Sequence, residues 1–121
     1  MEATPSTRGY ILLGATVAMQ GRLKEAERIH RTAIRVATPG EPVDEAHLNL
    51  ALVLRANEEY VEAAQHLRKA LSIDPTYEDA VEVLADVRRA QSFKLANTGL
   101  QPAKAGRKPT RKRVGRKRVG G

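Results

Sequence analysis

Three histidines, a set of glutamates and a run of cations are the residues of this chain whose types could do chemistry. Imidazoles ligate metals or move protons at neutral pH. His30, His47 and His66 lack the close His-x3–5-His spacing that puts two ligands on one helix face, so neither metal nor cofactor is expected. Acid–base catalysis needs carboxylates paired in a dry pocket. Here Glu25, Glu27, Glu58, Glu59, Glu62, Glu78 and Glu82 fall on predicted solvent faces, commonly with Arg or Lys three or four residues away, as Glu27 has Arg31. That is the pattern of a solvated helix surface. With no cysteine there is neither a thiolate nucleophile nor a disulfide framework. No nucleophile–base pair emerges, so no catalytic residue is assigned and the chain reads as a non-enzyme.

The cations are a different matter. Lys104, Arg107, Lys108, Arg111, Lys112, Arg113, Arg116, Lys117 and Arg118 lie within residues 97–121, which hold no acid, and end in the doubled unit RKRVGRKRVGG. The remaining residues, 1–96, carry 12 Lys/Arg against 14 Asp/Glu, a net of −2 beside a segment of +9. Such a segment attracts polyanions, and nine engaged cations would give nucleic-acid binding a logarithmic salt slope of about −8. No aromatic residue lies between the cations, so bases have nothing to stack on and sequence readout is not expected. A nuclear import signal, an anionic-membrane contact and a solubilising role are rival uses of the same charge.

The elements that must position these residues are helical. Three Tyr, one Phe and no Trp leave a core of Ala, Leu, Val and Ile, which suits close helix–helix packing. The stretch after Arg8, GYILLGATVAM, is too short for a membrane span and lacks a clear cleavage site, so neither a signal peptide nor a transmembrane segment is expected. Self-similarity explains it better. Residues 9–37 overlay 46–74 at an offset of 37: Leu13 falls on Leu50, Gly14 on Ala51, Val17 on Leu54, Ala26 on Ala63, Ala33 on Ala70 and Ile34 on Leu71. Each unit reads as two helices with apolar residues at i, i+3, i+4 and i+7, joined by a polar turn in which Gly21, and Asn57 in the second unit, can turn left-handed. TPGEPVD (38–44) and DPTYED (74–79) separate the helices, the latter with Thr76 and Asp79 at capping-box spacing. A fifth helix follows over about 78–95, and after Gly99 apolar periodicity stops.

These residues resemble the tetratricopeptide repeat family, whose signature runs W-x2-L-G-x2-Y, A-x3-F and then proline. The second unit reads His47-x2-Leu50-Ala51-x2-Leu54, Ala63-x3-Leu67 and Asp74-Pro75; the first reads Tyr10-x2-Leu13-Gly14-x2-Val17 and Ala26-x3-His30. All three histidines then fall on packing positions, His47 on the family's aromatic, His30 on Leu67 and His66 on Ile29. The resemblance implies an all-α solenoid of about two and a half repeats and five helices. Its organisation is a flexible N-terminus (1–6), a repeat domain (7–96) with units of about 7–40 and 44–77 plus a capping helix, and a disordered basic tail (97–121).

It further implies that the first helix of each unit lines a concave groove where a partner segment docks. By register that groove contains Ile11, Leu12, Ala15, Met19, Leu48, Asn49, Leu52 and Arg55, with Asp79, Glu82, Asp86 and Arg89 from the fifth helix. Ile11, Leu48 and Leu52 are equally placed to pack against one another between neighbouring helices. The function implied is a scaffold or adaptor for a protein or peptide partner in the cytoplasm, or in the nucleus of a eukaryotic cell. The alternative is a nucleic-acid-associated protein acting mainly through its tail, and a short array with an uncapped N-terminal edge also invites homodimerisation. Chaperone-tail binding is not expected, because the Lys and Asn pattern that grips a terminal carboxylate survives only at Asn49.

Overall fold

The computed structural model describes residues 6–98, all of its regular structure helical: α1 (Thr7–Met19), α2 (Leu23–Val36), α3 (Asp44–Ala56), α4 (Tyr60–Ile73) and α5 (Glu78–Thr98). The helices belong to a unit ending at Ala90; Gln91 begins a second unit, whose described residues 91–98 are the last turns of α5. The flexible N-terminus expected over residues 1–5 and the disordered, polyanion-binding tail expected around Lys104 to Arg118 lie outside the described residues.

Each helix starts and stops for a local reason. Ser6 caps α1, its hydroxyl accepting from the Gly9 amide at 3.0 Å. Between α1 and α2 the amides of Gly21 and Arg22 donate back to the carbonyls of Ala18 and Val17, and between α3 and α4 those of Glu58 and Glu59 donate to Arg55 and Leu54. Both are Schellman closures, which place the residue after the C-cap in the left-handed region. That residue is Gly21 at φ +82° in the first hairpin and Glu58 at φ +63° in the second, not Asn57, which stays at φ −90°. The repeat offset of 37 places Glu58 opposite Gly21, so the closure and not side-chain preference selects the position. Glu58→Gly is therefore expected to raise stability by about 1 kcal/mol, read as a higher urea midpoint at unchanged m-value.

The longer loop between the hairpins is tied together by one carboxylate. Glu41 Oε1 accepts from the Thr38 amide at 2.9 Å and from the hydroxyls of Thr38 and Thr7 at 3.2 Å each. These bonds hold the Glu41 pKa below its ordinary value, the Thr38 amide contributing most. Ahead of α5 the expected Thr76–Asp79 capping box gives way to a turn built on Asp74, whose carboxylate accepts from both the amide and the hydroxyl of Thr76. Helix α5 then runs to Thr98, past the expected end near residue 95, because Gly99 is the first strong helix breaker.

The short turns fold α1 onto α2 and α3 onto α4, and α3 packs against both helices of the first hairpin. The largest cluster joins Leu50, Leu54, Leu67, Ala63 and Ala70 to Ala80 and Val87 of α5, with Ile34 of α2 packed against it. Alanines at 26, 33, 63 and 70 are fully buried and allow the close helix approach that a core poor in aromatics requires.

Candidate partner-binding groove

The first helices of the repeats share one face, and ion pairs mark it. Arg8 on α1 pairs with Glu45 on α3, and Arg55 on α3 reaches Asp86 on α5 at 3.6 Å; Asp86 also holds Arg89. All these groups are largely solvated, so they contribute little to stability. Their value here is as rulers: α1, α3 and α5 are neighbours along this face.

Between α1 and α3 the face opens into a pocket of about 260 Å³. Ala15, Ala18 and Met19 of α1 form one wall, Asn49, Leu52 and Val53 of α3 the other, and Leu23 and His30 of α2 contribute from behind. Four of the residues assigned to the groove thus meet here: Ala15, Met19, Asn49 and Leu52. Met19, 88% exposed, stands at the rim. Leu12 is also exposed and Arg55 half-exposed, whereas Ile11 and Leu48 are 3% and 6% exposed and sit in core clusters between the helices. A groove contact is therefore available to Leu52 but not to Leu48.

His30 is the least conventional residue behind this pocket. It is buried, and neither ring nitrogen has a hydrogen-bond partner. The ring abuts the backbone of Gly14: a Cβ there would lie 2.5 Å from His30 Cε1 and 2.8 Å from each nitrogen. Burial pushes the His30 pKa down, with Glu45 partly opposing, so the ring is neutral near pH 7.

The other two histidines form a connection that their sequence separation hides. His47 Nδ1 and His66 Nδ1 are 2.9 Å apart, and the ring centroids 5.1 Å. That centroid separation is close to the largest that the nitrogen distance and two ring radii allow, so the nitrogens lie near the line joining the rings: an N–H···N bond along that line, not a face-to-face stack. His66 Nε2 lies 3.3 Å from Glu62 Oε2. An ionised carboxylate only accepts, so His66 carries its proton on Nε2, its Nδ1 accepts, and His47 Nδ1–H donates. Glu62 in turn accepts from Arg31 Nη1 at 2.8 Å, and Arg31 Nη2 donates to Glu27 at 2.8 Å.

The result is a polar chain running from α3 through α4 to α2, so Glu27 and Glu62 are not merely solvated surface acids. Its charges are fixed by its neighbours. Arg31 holds the Glu62 pKa down and has its own raised by the two glutamates, chiefly Glu62. Burial, with help from His66 and Lys69, lowers His47 to about 4, and burial also lowers His66. Among the described residues no group of three or more His, Cys, Asp or Glu could hold a metal ion, and no helix is long and apolar enough to cross a membrane.

Compared with known families, residues 7–76 match the model of the tetratricopeptide repeat, more than half of the chain. The chain belongs to the tetratricopeptide repeat family. No curated protein and no solved structure matches it. Tetratricopeptide repeat domains generally mediate protein–protein interaction on a scaffold that is typically not catalytic. In this repeat protein the α1–α3–α5 face is the one formed by the first helix of each unit. The matched region ends at Thr76, just before α5.

Proposed function

We propose that this repeat protein is a non-enzymatic interaction module that binds a segment of a protein partner along its α1–α3–α5 face, with the basic tail adding non-specific attraction to polyanions. The observation that carries this reading is the apolar pocket between α1 and α3, which brings Ala15, Met19, Asn49 and Leu52 together on that face. An apolar recess outside the core is the kind of surface that marks a partner site. Leu52→Glu tests it, because Leu52 is only partly buried and a charge there reaches solvent while spoiling the recess. Pull-down with the variant, at unchanged helicity by circular dichroism, is expected to lose the partners captured by the unaltered chain. An identical partner set sinks the groove.

The second reading makes nucleic-acid association the main task, and it rests on the nine cations between Lys104 and Arg118. Fluorescence anisotropy with a DNA duplex across a salt series, read beside the Leu52→Glu pull-down, discriminates the two. No binding at low salt removes the second reading, and salt-dependent binding supports it over the first only where Leu52→Glu leaves the captured protein partners unchanged.

A further inference from the structure

The proposed groove has a chemical polarity that specifies more about its occupant. The pocket between α1 and α3 is walled mainly by aliphatic groups, with Asn49 in one wall and the His30 ring behind, and its 260 Å³ matches one large apolar side chain better than a free metabolite, for which pockets of about 300–1,000 Å³ are usual. At the other end of the same face, Asp79 of α5 stands at the register position that Glu45 occupies on α3, and Glu82, at the register of the inward-turned Leu48, stands one turn along on the open edge of α5. Both are exposed, and among the described residues neither forms an ion pair. Glu45 and Asp86, by contrast, are each neutralised by an arginine. Unpaired negative charge on the face therefore belongs to the α5 end.

We propose that the groove takes an extended peptide that seats one large apolar side chain in the α1–α3 pocket and directs a lysine or arginine toward Asp79 and Glu82. This rests on the groove reading above and deepens it. Helix axes that pack directly are about 8–10 Å apart, so the pocket lies about one and a half spacings, roughly 14 Å, from α5. Asp79 and Glu82 lie about 8 Å back along α5 from the level of Leu52, which makes the span about 16 Å. At about 3.3 Å per residue an extended chain covers this in about five residues. The recognised pattern is thus an apolar residue with a cation about five positions away. Charge complementarity gives that cation its role in selectivity and encounter rate more than in affinity.

Selection of a random twelve-residue peptide library against the immobilised full chain tests the proposal. The expected survivors combine a Leu, Met or Phe with a Lys or Arg about five positions away, each enriched at least tenfold over the input. Ala15→Leu fills the pocket from its own wall and is expected to abolish the apolar preference. Asp79→Asn with Glu82→Lys is expected to abolish the basic preference while leaving the apolar one. Survivors that are lost on Leu52→Glu but carry no apolar–basic pattern, or that ignore Ala15→Leu, overturn this inference and leave the groove standing. If peptides are recovered only when the nine lysines and arginines of residues 104–118 are replaced by glutamine, the chain's own tail is the occupant and a separate basic partner is ruled out. If neither form recovers any peptide, this inference and the groove reading fall together.

Discussion

Gly14→Ala is expected to destabilise the repeat protein by about 2 kcal/mol, and His30→Leu to restore what it takes away. The new methyl would lie 2.5 Å from a carbon of the buried His30 ring, a distance at which something must move. A glycine replaced by alanine inside a helix gains about 1 kcal/mol of propensity. Overpacking costs about 1–3 kcal/mol and occasionally more; here the α1 backbone holds one side of the clash, and on the other the His30 ring, 1% exposed, must leave its packed position toward the pocket it borders. The steric term wins, and the melting temperature should fall by about 10 °C for a domain of this size.

His30→Leu alone should stabilise by about 1–2 kcal/mol, because it removes two buried ring nitrogens that have no partner. The second hairpin supplies the precedent for combining the two changes: Ala51 and Leu67 occupy the equivalent positions, and both are fully buried without strain in their φ angles. The double variant should therefore be at least as stable as the unaltered chain, with a coupling near 2 kcal/mol in a double-mutant cycle from urea unfolding. Additive effects, with coupling below about 0.5 kcal/mol, would show that the ring does not limit the space at Gly14.

Much of this architecture was legible in the sequence because helical hairpins advertise themselves twice, once by periodicity and again by self-similarity. The overlay of Leu13 on Leu50 shows where that legibility ends. Leu50 is fully buried, with Ile34 of α2 packed against its cluster, whereas Leu13 is 47% exposed, since among the described residues no helix precedes α1 to cover it. Equivalent letters have different fates because burial depends on neighbours, not on the unit.

The groove assignment behaved in the same way. Register placed Ala15, Met19, Asn49 and Leu52 on one face, but Ile11 and Leu48 turned inward where adjacent helices meet. Periodicity alone cannot distinguish a residue lining a groove from one wedged between the helices that form it. The His47–His66–Glu62–Arg31 chain was illegible for another reason: it spans three helices, and no local spacing encodes it. One signal was available. His47 and His66 stand where the first unit has Tyr10 and Ile29, and two polar replacements in a single unit point to a contact in which each compensates the other.

That pair underlies the second large expectation, a loss of stability as pH falls from about 6.5 toward 4. His30, His47 and His66 all have folded-state pKa values below the ordinary imidazole value of 6.5, His47 as low as about 4, with burial the leading cause each time. The unfolded chain therefore binds more protons than the folded one in this window, so unfolding free energy rises with pH there and is lost as pH drops. His47 alone accounts for a loss on the order of 3 kcal/mol by pH 4, a large share of a small domain's total. The lowered carboxylates Glu41 and Glu62 add their losses only below their ordinary range near 4.5, so the upper part of the window belongs to the histidines.

Structure explains why the pair resists protonation. A first added proton goes to His47 Nε2, off the line joining the two rings, where burial is what opposes it. Only with both rings charged would two N–H groups face each other across 2.9 Å, which disfavours the second proton on the pair. Lys69 and Arg31 oppose a new charge from one side, while Asp44 and Glu62 favour it only in part. The first hairpin again offers the apolar version. Transplanting its residues as His47→Tyr with His66→Ile is expected to flatten the dependence of the urea midpoint on pH between 6.5 and 4.5, leaving the shallower slope that buried His30 contributes. An unchanged slope in that variant would move the origin of the pH response elsewhere in the protein.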